Sequence, residues 1–254
     1  MSNELPIGIS KTNVKSIITV HDLIFVRYPE LYKTIDRKIY FSKIKRACNE
    51  ADKIIAISRQ TKNDIVEFLN INPNKIEIVY QGCSDIYYQQ HTEEQKNSVK
   101  KKYNLPDDFI LNVGTIEPRK NAFQIVKALK KGNIDFPLVI IGRETNYTKG
   151  IRNFIILNKL EKQIFILNNV TFEDLPTIYQ SAEIFIYPSF FEGFGIPIIE
   201  AFNSNTPVIT SDIDVFKEVA EDAALFFENN NIDSFANAIQ ILLKIKIKEM
   251  LSRI

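Results

Sequence analysis

The feature that most constrains the fold of this chain is a regular alternation of short apolar runs with longer amphipathic segments. The short runs are rich in Ile, Val and Phe, which is typical of strands buried on both faces of a parallel sheet. The longer segments have the apolar spacing of helices that cover such a sheet. The alternation therefore predicts a doubly wound α/β fold, in which ligands bind beyond the carboxyl ends of the strands.

The predicted elements form two series, which we interpret as two domains, residues 1–90 and 91–254. Strands are predicted at 16–20, 53–57, 76–80, 109–113, 138–141, 164–167, 184–187, 208–210 and 224–227. Helices are predicted at 35–49, 58–69, 92–103, 121–130, 148–160, 172–181, 196–203, 216–220 and 233–252. Ser58 and the Thr-Glu-Glu-Gln run from Thr92 are helix-capping signals. Residues 81–91 are polar without clear periodicity, and we interpret them as the linker.

Composition argues against several kinds of partner. The chain has 32 Lys and Arg against 31 Asp and Glu, so no excess positive charge favours nucleic acid. Two histidines and two cysteines form no metal-binding motif, and we expect neither a metal nor a cofactor. Cys48 and Cys83 are expected to be buried or half-buried thiols of a reducing compartment. Residues 1–10 lack the features of a signal peptide, so we expect a cytoplasmic protein.

The loop after the strand at 109–113 reads GTIEPRKN over residues 114–121. Gly114 ends the strand, and Arg119 and Lys120 come just before a helix, whose positive end favours an anion. A solvated basic turn is the alternative. The loop after the strand at 138–141 begins Gly-Arg, and Arg143 is as compatible with surface charge as with lining a base or phosphate pocket.

The loop after the strand at 184–187 reads PSFFEGFGIPIIE over residues 188–200. Gly193 and Gly195 permit a sharp turn and a close approach of a ligand to the backbone. Pro197 suits the first turn of a helix. The amides of Phe194, Gly195 and Ile196 are therefore expected at a helix N-terminus, where they form a second anion site.

Two glutamates belong to this second loop and its helix. Glu200 lies within an apolar stretch, where an ionised group needs polar partners. The vicinal hydroxyls of a ribose are suitable donors to one carboxylate. Glu192, nearer the tip of the loop, is placed to accept hydroxyls of a sugar.

Together these segments resemble the group 1 (family 4) glycosyltransferases, which are retaining enzymes of the GT-B fold with two Rossmann-like domains. The resemblance rests on HDLIF from residue 21, IIAIS from residue 54, GTIEPRKN from residue 114 and EGFGIPIIE from residue 192. It implies one nearly complete C-terminal Rossmann-like domain and the remnant of an N-terminal one. It also implies that most of the first domain and the last helices of the family are absent, and that residues 105–254 fold more robustly than residues 1–80.

The resemblance assigns a role to each matching residue. Lys120, with Arg119, corresponds to the clamp on the donor diphosphate, and Glu200 to the ribose ligand. Glu192 corresponds to the acid that holds the donor sugar, and His21 to the histidine near the transferred sugar, although a side chain that caps a strand end is the alternative for His21. The predicted catalytic residues are His21, Lys120 and Glu192, and the predicted nucleotide-sugar contacts are Gly114, Thr115, Arg119, Lys120, Arg143, Glu192, Gly193, Phe194, Gly195, Ile196 and Glu200.

The sequence departs from the family at two places in this site. Many relatives have an arginine directly after the glycine of the first loop, where this chain has Thr115. Charge neutralisation is then expected to depend more on Lys120. The turn at residues 202–206 has asparagines where relatives often have a glycine, and asparagine can adopt the left-handed conformation of such a turn.

The resemblance implies transfer of a hexose, of which mannose is one candidate, from a nucleoside-diphosphate sugar to an acceptor hydroxyl. The acceptor is expected to be a saccharide or a lipid-linked saccharide in the synthesis of cell-surface polysaccharide or lipopolysaccharide. The basic, apolar tail at residues 242–254 is a candidate for peripheral contact with the inner face of the membrane, and an amphipathic core helix is the other interpretation.

Other interpretations remain open from the sequence. A catalytically inactive nucleotide-sugar-binding fragment has the same motifs, and a nucleotide-sugar epimerase has the same kind of fold. A nicotinamide oxidoreductase is suggested by Gly193-x-Gly195 with Asp212 downstream, but Ile198 replaces the third glycine of that fingerprint. Asp212 and Asp214 form an Asp-x-Asp pair, for which a surface turn is a simpler interpretation than a metal site.

Overall fold

The computed structural model describes residues 14–251, so the interpretation of residues 1–10 lies outside the described part. Contacts divide the chain into two units. The first unit contains the residues up to Gln81 together with Glu192–Gly195, and the second contains Gly82–Phe191 and the chain from Ile196 onwards. The division thus falls before the predicted boundary between residues 90 and 91. It also assigns the segment Glu192–Gly195, which we call the glycine loop, to the first unit.

The first unit is built on a three-stranded parallel sheet in the order β1-β2-β3. Its strands are β1 (Ile17–Val20), β2 (Lys53–Ala56) and β3 (Ile76–Ile78). Its α-helices are α1 (Ile24–Arg27), α2 (Thr34–Glu50) and α3 (Arg59–Leu69), with 3-10 helices at Pro29–Leu31 and Pro73–Lys75. The crossovers between parallel strands are helical, as a Rossmann-like unit requires.

Local chemistry explains where α3 begins and ends. The Ser58 hydroxyl accepts a hydrogen bond from the Thr61 amide at 3.0 Å, which confirms the predicted N-cap. The helix ends at Asn70, which has a left-handed conformation with φ 57°. Inside α3, the fully buried Asp64 carboxylate accepts hydrogen bonds from the Arg27 guanidinium, and this pairing offsets the cost of burying the charge.

The second unit is built on a six-stranded parallel sheet in the order β6-β5-β4-β7-β8-β9. Its strands are β4 (Ile110–Val113), β5 (Leu138–Ile141), β6 (Ile164–Leu167), β7 (Ile184–Tyr187), β8 (Val208–Ser211) and β9 (Ala224–Phe227). Its α-helices are α4 (Glu93–Tyr103), α5 (Ala122–Lys131), α6 (Thr148–Leu157), α7 (Leu175–Ser181), α8 (Ile196–Asn203), α9 (Asp214–Ala220) and α10 (Ile232–Leu251). Two short 3-10 helices, Asp85–Tyr88 and Pro118–Lys120, complete the unit. The predicted doubly wound α/β fold is confirmed.

The sheet of the second unit is covered on both faces, which explains why its strands are continuous apolar runs. Ile110 and Ile140 belong to one core cluster, whereas Leu111 and Val139 belong to the other. Successive residues of a strand point to opposite faces, so each short run must be apolar throughout. The order of the strands is the 3-2-1-4-5-6 order of a Rossmann fold when β4 is counted as the first strand.

Most of the segment predicted to be a linker, residues 82–91, is instead assigned to the second unit. Within residues 81–91, Asp85–Tyr88 forms a 3-10 helix, and the Tyr87 ring is buried in the same core cluster as Tyr179. The two rings meet edge to face with centroids 5.6 Å apart. Residues 81–91 lack periodicity because they contain one short 3-10 helix with a single buried side chain, Tyr87. One buried residue in one turn gives no repeating pattern in the sequence.

Several local predictions are confirmed in the two units. The capping box at Thr92 is formed, since its hydroxyl accepts from the Gln95 amide and the Gln95 side chain accepts from the Thr92 amide. Asn205 adopts the left-handed conformation expected of the turn at residues 202–206, with φ 57°. Cys48 is buried and Cys83 half-buried, both as free thiols, and burial raises the pKa of Cys48 to about 12.

Helix α10 packs into the core with Phe235, Ile239 and Leu243. Of the tail at residues 242–254, Leu242 and Leu243 therefore belong to a core helix, as one of the two interpretations predicted. Residues 252–254 lie outside the described part. Among the helices that the structure describes, none is long and apolar enough to span a membrane.

Limited proteolysis of the whole chain is expected to degrade the first unit before the second. The first unit has one core cluster and leaves Ile17 and Ile35 mostly exposed, whereas the sheet of the second unit has a core on each face. Mass spectrometry of the fragments over time gives the order of cleavage. Early loss of the second unit, with residues 14–81 persisting, would contradict this expectation.

Candidate functional site

The sheet of the second unit has one point where the strand order reverses. Strand β4 lies between β5 and β7, so the chain leaves it toward one edge and later returns to its other side. Strands β4 and β7 pair only at Ile110–Ile184 and Leu111–Phe185. Beyond these pairs the buried Asn112 amide donates to the Ile186 carbonyl at 2.8 Å. Ligands of such sheets bind beyond the carboxyl ends of the two strands at the reversal, and we call this place the crevice.

Glycines let the loops after β4 and β5 lie in contact. Gly114 has φ +146°, and a Cβ on Gly142 would lie 1.8 Å from the Gly114 carbonyl oxygen. The Ile116 amide donates to the Arg143 carbonyl at 2.9 Å and so joins the same two loops. Thr115, which follows Gly114 in the loop after β4, is half-buried. The backbone of Arg143 thus has a structural contact, while its side chain is exposed.

Lys120 lies at the mouth of this crevice. It ends the 3-10 helix Pro118–Lys120, and its aliphatic stem lies against Gly114, because a Cβ there would come within 3.2 Å of Lys120 Cδ. Its Nζ donates to the Tyr187 hydroxyl at 2.8 Å. Since Tyr187 is the last residue of β7, the lysine reaches from the end of β4 to the end of β7.

Glu200 faces the same crevice from α8. Its carboxylate Oε2 accepts a hydrogen bond from the Tyr179 hydroxyl at 3.0 Å. Burial raises the pKa of Glu200, and the Tyr179 and Tyr87 hydroxyls and the positive charge of Lys120 act in the opposite direction. The Tyr87 hydroxyl approaches the carboxylate without the geometry of a full hydrogen bond. The structure therefore brings Lys120 and Glu200 within electrostatic reach of each other, as the sequence predicted.

Arg119 has contacts that its predicted role does not require. Its Nη1 donates to the Phe191 carbonyl at 2.9 Å, and its Nη2 donates to Glu117 Oε1 at 2.8 Å. The Phe190 amide in turn donates to the Arg119 carbonyl at 3.1 Å. These bonds tie the loop after β4 to the loop after β7. A diphosphate contact by Arg119 stays a prediction.

The glycine loop Glu192–Gly195 packs within the first unit. Gln60 Nε2 donates to the Glu192 carbonyl at 2.9 Å. A Cβ on Gly193 would lie 2.1 Å from the His21 carbonyl oxygen, so only glycine fits there. Gly195 has φ +129°, a conformation that favours glycine. These contacts bring the backbones of His21 and Gly193 together.

Two side chains of this region differ from what the sequence suggested. The Phe194 ring is buried against Tyr80, with centroids 5.8 Å apart, so Phe194 is an anchor as well as a source of a backbone amide. The His21 side chain is exposed, with Nδ1 3.5 Å from Gln81 Nε2. Asp22, whose Oδ1 accepts from the Ile24 amide at 3.0 Å, makes the cap at this strand end.

The tyrosines of the crevice are not among the residues that the sequence predicts for the site. Tyr87, Tyr179 and Tyr187 all lie in apolar surroundings, where the pattern indicates core and nothing more. Their hydroxyls nonetheless approach Glu200 or Lys120. The available signal was weak: a buried charged residue needs polar partners, and tyrosine is a hydroxyl donor that an aromatic core accommodates.

The Asp-x-Asp pair has the character of a surface turn. The Asp212 carboxylate forms an ion pair with Lys217, and Asp214 is the first residue of α9. Among the side chains that the structure describes, no three His, Cys, Asp or Glu residues are grouped as a metal site would have them.

Comparison with known proteins matches both parts of the chain. A family model described as "Glycosyl transferases group 1" matches residues 92–254, and one described as "Glycosyltransferase Family 4" matches residues 4–85. The O-antigen chain mannosyltransferase RfbU of Salmonella typhimurium is 31% identical over 224 residues, covering 88% of this chain and 59% of its own length. The O-antigen chain mannosyltransferase B of Escherichia coli is 30% identical, with 87% and 59% coverage.

Solved structures agree with the fold. A glycosyltransferase from Rickettsia africae has a TM-score of 0.76 and 26% identity, covering 92% of this chain and 62% of its own. HepE of Anabaena, in complex with UDP-glucose, has a TM-score of 0.76 and 18% identity, covering 91% and 63%. The chain thus spans about three fifths of the length of each of these four proteins.

Substitution of Gly142 by alanine is expected to destabilise the second unit by about 3 kcal/mol, because its Cβ collides with the Gly114 carbonyl. Gly150→Ala is the matched control, since a Cβ on Gly150 meets nothing within 4 Å and alanine favours the helix. Urea unfolding followed by circular dichroism measures both. Equal midpoints for the two variants would show that the loops are not in close contact.

Proposed function

This chain belongs to the group 1 glycosyltransferase family, and from that premise we propose that it transfers a hexose from a nucleoside-diphosphate sugar to an acceptor hydroxyl. The observation that carries the proposal is the convergence of Lys120 and Glu200 at the point where the strand order reverses. A cation and a half-buried acid at the carboxyl ends of the strands suit a ligand with a diphosphate next to a ribose.

Lys120 is proposed to bind the diphosphate. When the sugar leaves, negative charge develops on the diphosphate, and a fixed cation lowers the energy of that transition state. The amides at the start of α8, including that of Ile196, add the positive end of a helix to the same crevice. This arrangement supplies charge neutralisation from the protein, so the proposed reaction includes no metal.

Glu200 is proposed to bind the ribose. An ionised carboxylate accepts two vicinal hydroxyls, and the Tyr179 hydroxyl holds one of its oxygens in place. Because burial raises the pKa of Glu200, its ionised form is lost at a higher pH than that of an exposed glutamate. Affinity for the ribonucleotide is therefore expected to fall as the pH falls through that raised value.

The sugar end of the site is proposed from Glu192 and His21. Glu192 would accept hydroxyls of the donor sugar, and His21 would lie near the transferred carbon. In the retaining reaction, the bond between the anomeric carbon and the phosphate oxygen breaks while the acceptor oxygen attacks from the same face. The acceptor proton then passes to the departing phosphate. Support for these roles comes from the family resemblance and from the contact between the backbones of His21 and Gly193.

Substrate and setting are proposed from the relatives. Two of them are named as O-antigen chain mannosyltransferases, so mannose is the first sugar to test, with a saccharide or lipid-linked saccharide of a surface polysaccharide as acceptor. The reaction is proposed to occur in the cytoplasm, with peripheral contact at the inner face of the membrane. Ile241 and Ile245, with the exposed Lys244 and Lys248 on the same face of α10, are a candidate surface for that contact.

Nucleotide-sugar binding without transfer is the second candidate. It is favoured by one observation, that the charged groups which the structure brings together, Lys120 and Glu200, belong to the proposed nucleotide end of the site. Donor hydrolysis or transfer, measured beside binding in the same preparation, separates the two candidates.

Lys120→Ala is expected to weaken binding of the preferred nucleoside diphosphate by about tenfold or more, because a charge-assisted contact to the diphosphate is lost. Glu200→Gln is expected to weaken ribonucleotide binding to a similar extent. Titration calorimetry with UDP, GDP and ADP measures the dissociation constants. Lys130→Ala, which removes an exposed lysine of α5, is the matched control and should bind as the wild type does.

The proposal fails if the wild-type chain binds none of these nucleotides. It also fails if Lys120→Ala and Lys130→Ala bind with the same affinity, since the crevice would then not hold the diphosphate.

Two variants of Arg119 show whether this residue braces the loops or contacts the diphosphate directly. Because Arg119 holds both loops, we expect its bracing contacts to have the larger effect on nucleotide binding. Arg119→Lys keeps the charge but loses the forked contacts to Phe191 and Glu117, and should weaken nucleotide binding as much as Arg119→Gln. The dissociation constants of both variants should depend on the salt concentration as that of the wild type does. A full rescue by lysine, with a weaker salt dependence in the glutamine variant, would assign Arg119 to the diphosphate instead.

A further inference from the structure

Glu200 is held by an aromatic hydroxyl that the sugar-transfer reaction itself does not require. Tyr179 is fully buried and donates to Glu200 Oε2 at 3.0 Å. Its own position is fixed, because its carbonyl accepts from Thr206 Oγ1 at 2.6 Å and its ring packs at 5.0 Å from that of Phe185. A donor that cannot move orients the carboxylate to which it is bonded.

A second tyrosine reinforces this arrangement. Tyr87 is 1% exposed, lies edge to face with the Tyr179 ring, and directs its hydroxyl toward Glu200 without a full hydrogen bond. Burial and the nearby carboxylate raise the pKa of both tyrosines, so both hydroxyls keep their hydrogens. Two neutral donors thus lie on the protein side of one acid.

The carboxylate retains capacity for a ligand. An ionised carboxylate offers about four lone-pair positions, and Tyr179 uses one of them on Oε2. Positions on the crevice side remain for hydroxyls that approach from there. A carboxylate free to rotate would lose entropy when it binds such hydroxyls, whereas one already oriented loses less.

We propose that Tyr179 and Tyr87 are positioning residues that set the preference of this site for a ribonucleotide over a 2′-deoxyribonucleotide, by holding Glu200 oriented toward the ribose hydroxyls. The inference rests on the proposed function, since it requires Glu200 to bind the ribose. Neither tyrosine touches the donor; each acts through Glu200.

The preference depends on the pH through the same contacts. The groups that face Glu200 are Tyr179 from α7, Tyr87 from the 3-10 helix before α4, and Lys120 from the loop after β4. All three favour the ionised carboxylate and lower its pKa, against burial, which raises it. Loss of the Tyr179 hydroxyl removes one of the lowering contacts, so the pKa rises further. The ribose preference of that variant should then be lost at a higher pH than in the wild type.

The test is the ratio of dissociation constants for the 2′-deoxyribonucleoside diphosphate and its ribonucleotide, measured on the full chain from acidic to neutral pH. The diphosphate titrates in both nucleotides, so the ratio isolates the ribose contact. Tyr179→Phe is expected to lower the ratio by about fivefold, the equivalent of one net hydrogen bond. Tyr87→Phe is expected to lower it less, since its hydrogen bond is incomplete.

Tyr103→Phe is the matched control. Tyr103 packs against the same core, and its hydroxyl donates to the Asp174 carboxylate at 2.6 Å, so this variant loses a tyrosine–carboxylate bond of the same kind elsewhere. Its ratio and pH profile should equal those of the wild type. Thermal unfolding of all the variants shows whether each is folded, and Tyr87→Phe tests the proposal if Tyr179→Phe is not.

The outcomes separate the inference from the function on which it rests. A wild-type chain that binds no nucleoside diphosphate overturns both. A wild type that prefers the ribonucleotide, with tyrosine variants that lose affinity for both nucleotides by the same factor, leaves the proposed function intact and overturns the positioning role. An altered ratio in Tyr103→Phe overturns it as well, because the effect would then be general to the core.

Discussion

The approach of the Lys120 charge to Glu200 depends on the reversal of strand order beside β4. At such a reversal, the loops after the two neighbouring strands lead to opposite sides of the sheet and leave space for a ligand between them. Here β4 and β7 separate after two residue pairs, and Asn112 satisfies the Ile186 carbonyl that the sheet no longer pairs. The separation gives a cation from one loop and an acid from α8 access to the same space.

The two charged side chains of this crevice make their hydrogen bonds to tyrosine hydroxyls of an aromatic core. Tyr187 accepts from Lys120, and Tyr179 donates to Glu200, while their rings pack among buried phenylalanines such as Phe185. Each tyrosine fills core volume with its ring and satisfies a polar group with its hydroxyl. The raised pKa of Glu200 reflects the balance, since burial outweighs these contacts.

Close backbone contact explains why glycines recur in the loops. The carbonyl of Gly114 occupies the space that a side chain at Gly142 would need, and the carbonyl of His21 does the same for Gly193. Such contacts hold the loops at defined positions without side-chain bulk, so the backbone amides remain close to any ligand. Arg119 adds a side-chain tie between the loops after β4 and β7.

The sequence by itself determined the fold class, the two-part organisation and the loops that carry polar chemistry, because strands covered on both faces must be apolar throughout and loops must carry turn residues. It also singled out Lys120 and Glu200, since cations before a helix and an acid within an apolar stretch are local signals. Only the tertiary structure decided that Tyr87 belongs to a core and not to a linker, that Tyr179 donates to Glu200, and that Arg119 joins two loops. Those contacts join residues far apart in the chain, and their partners are set by strand order and ring packing, which no local pattern records.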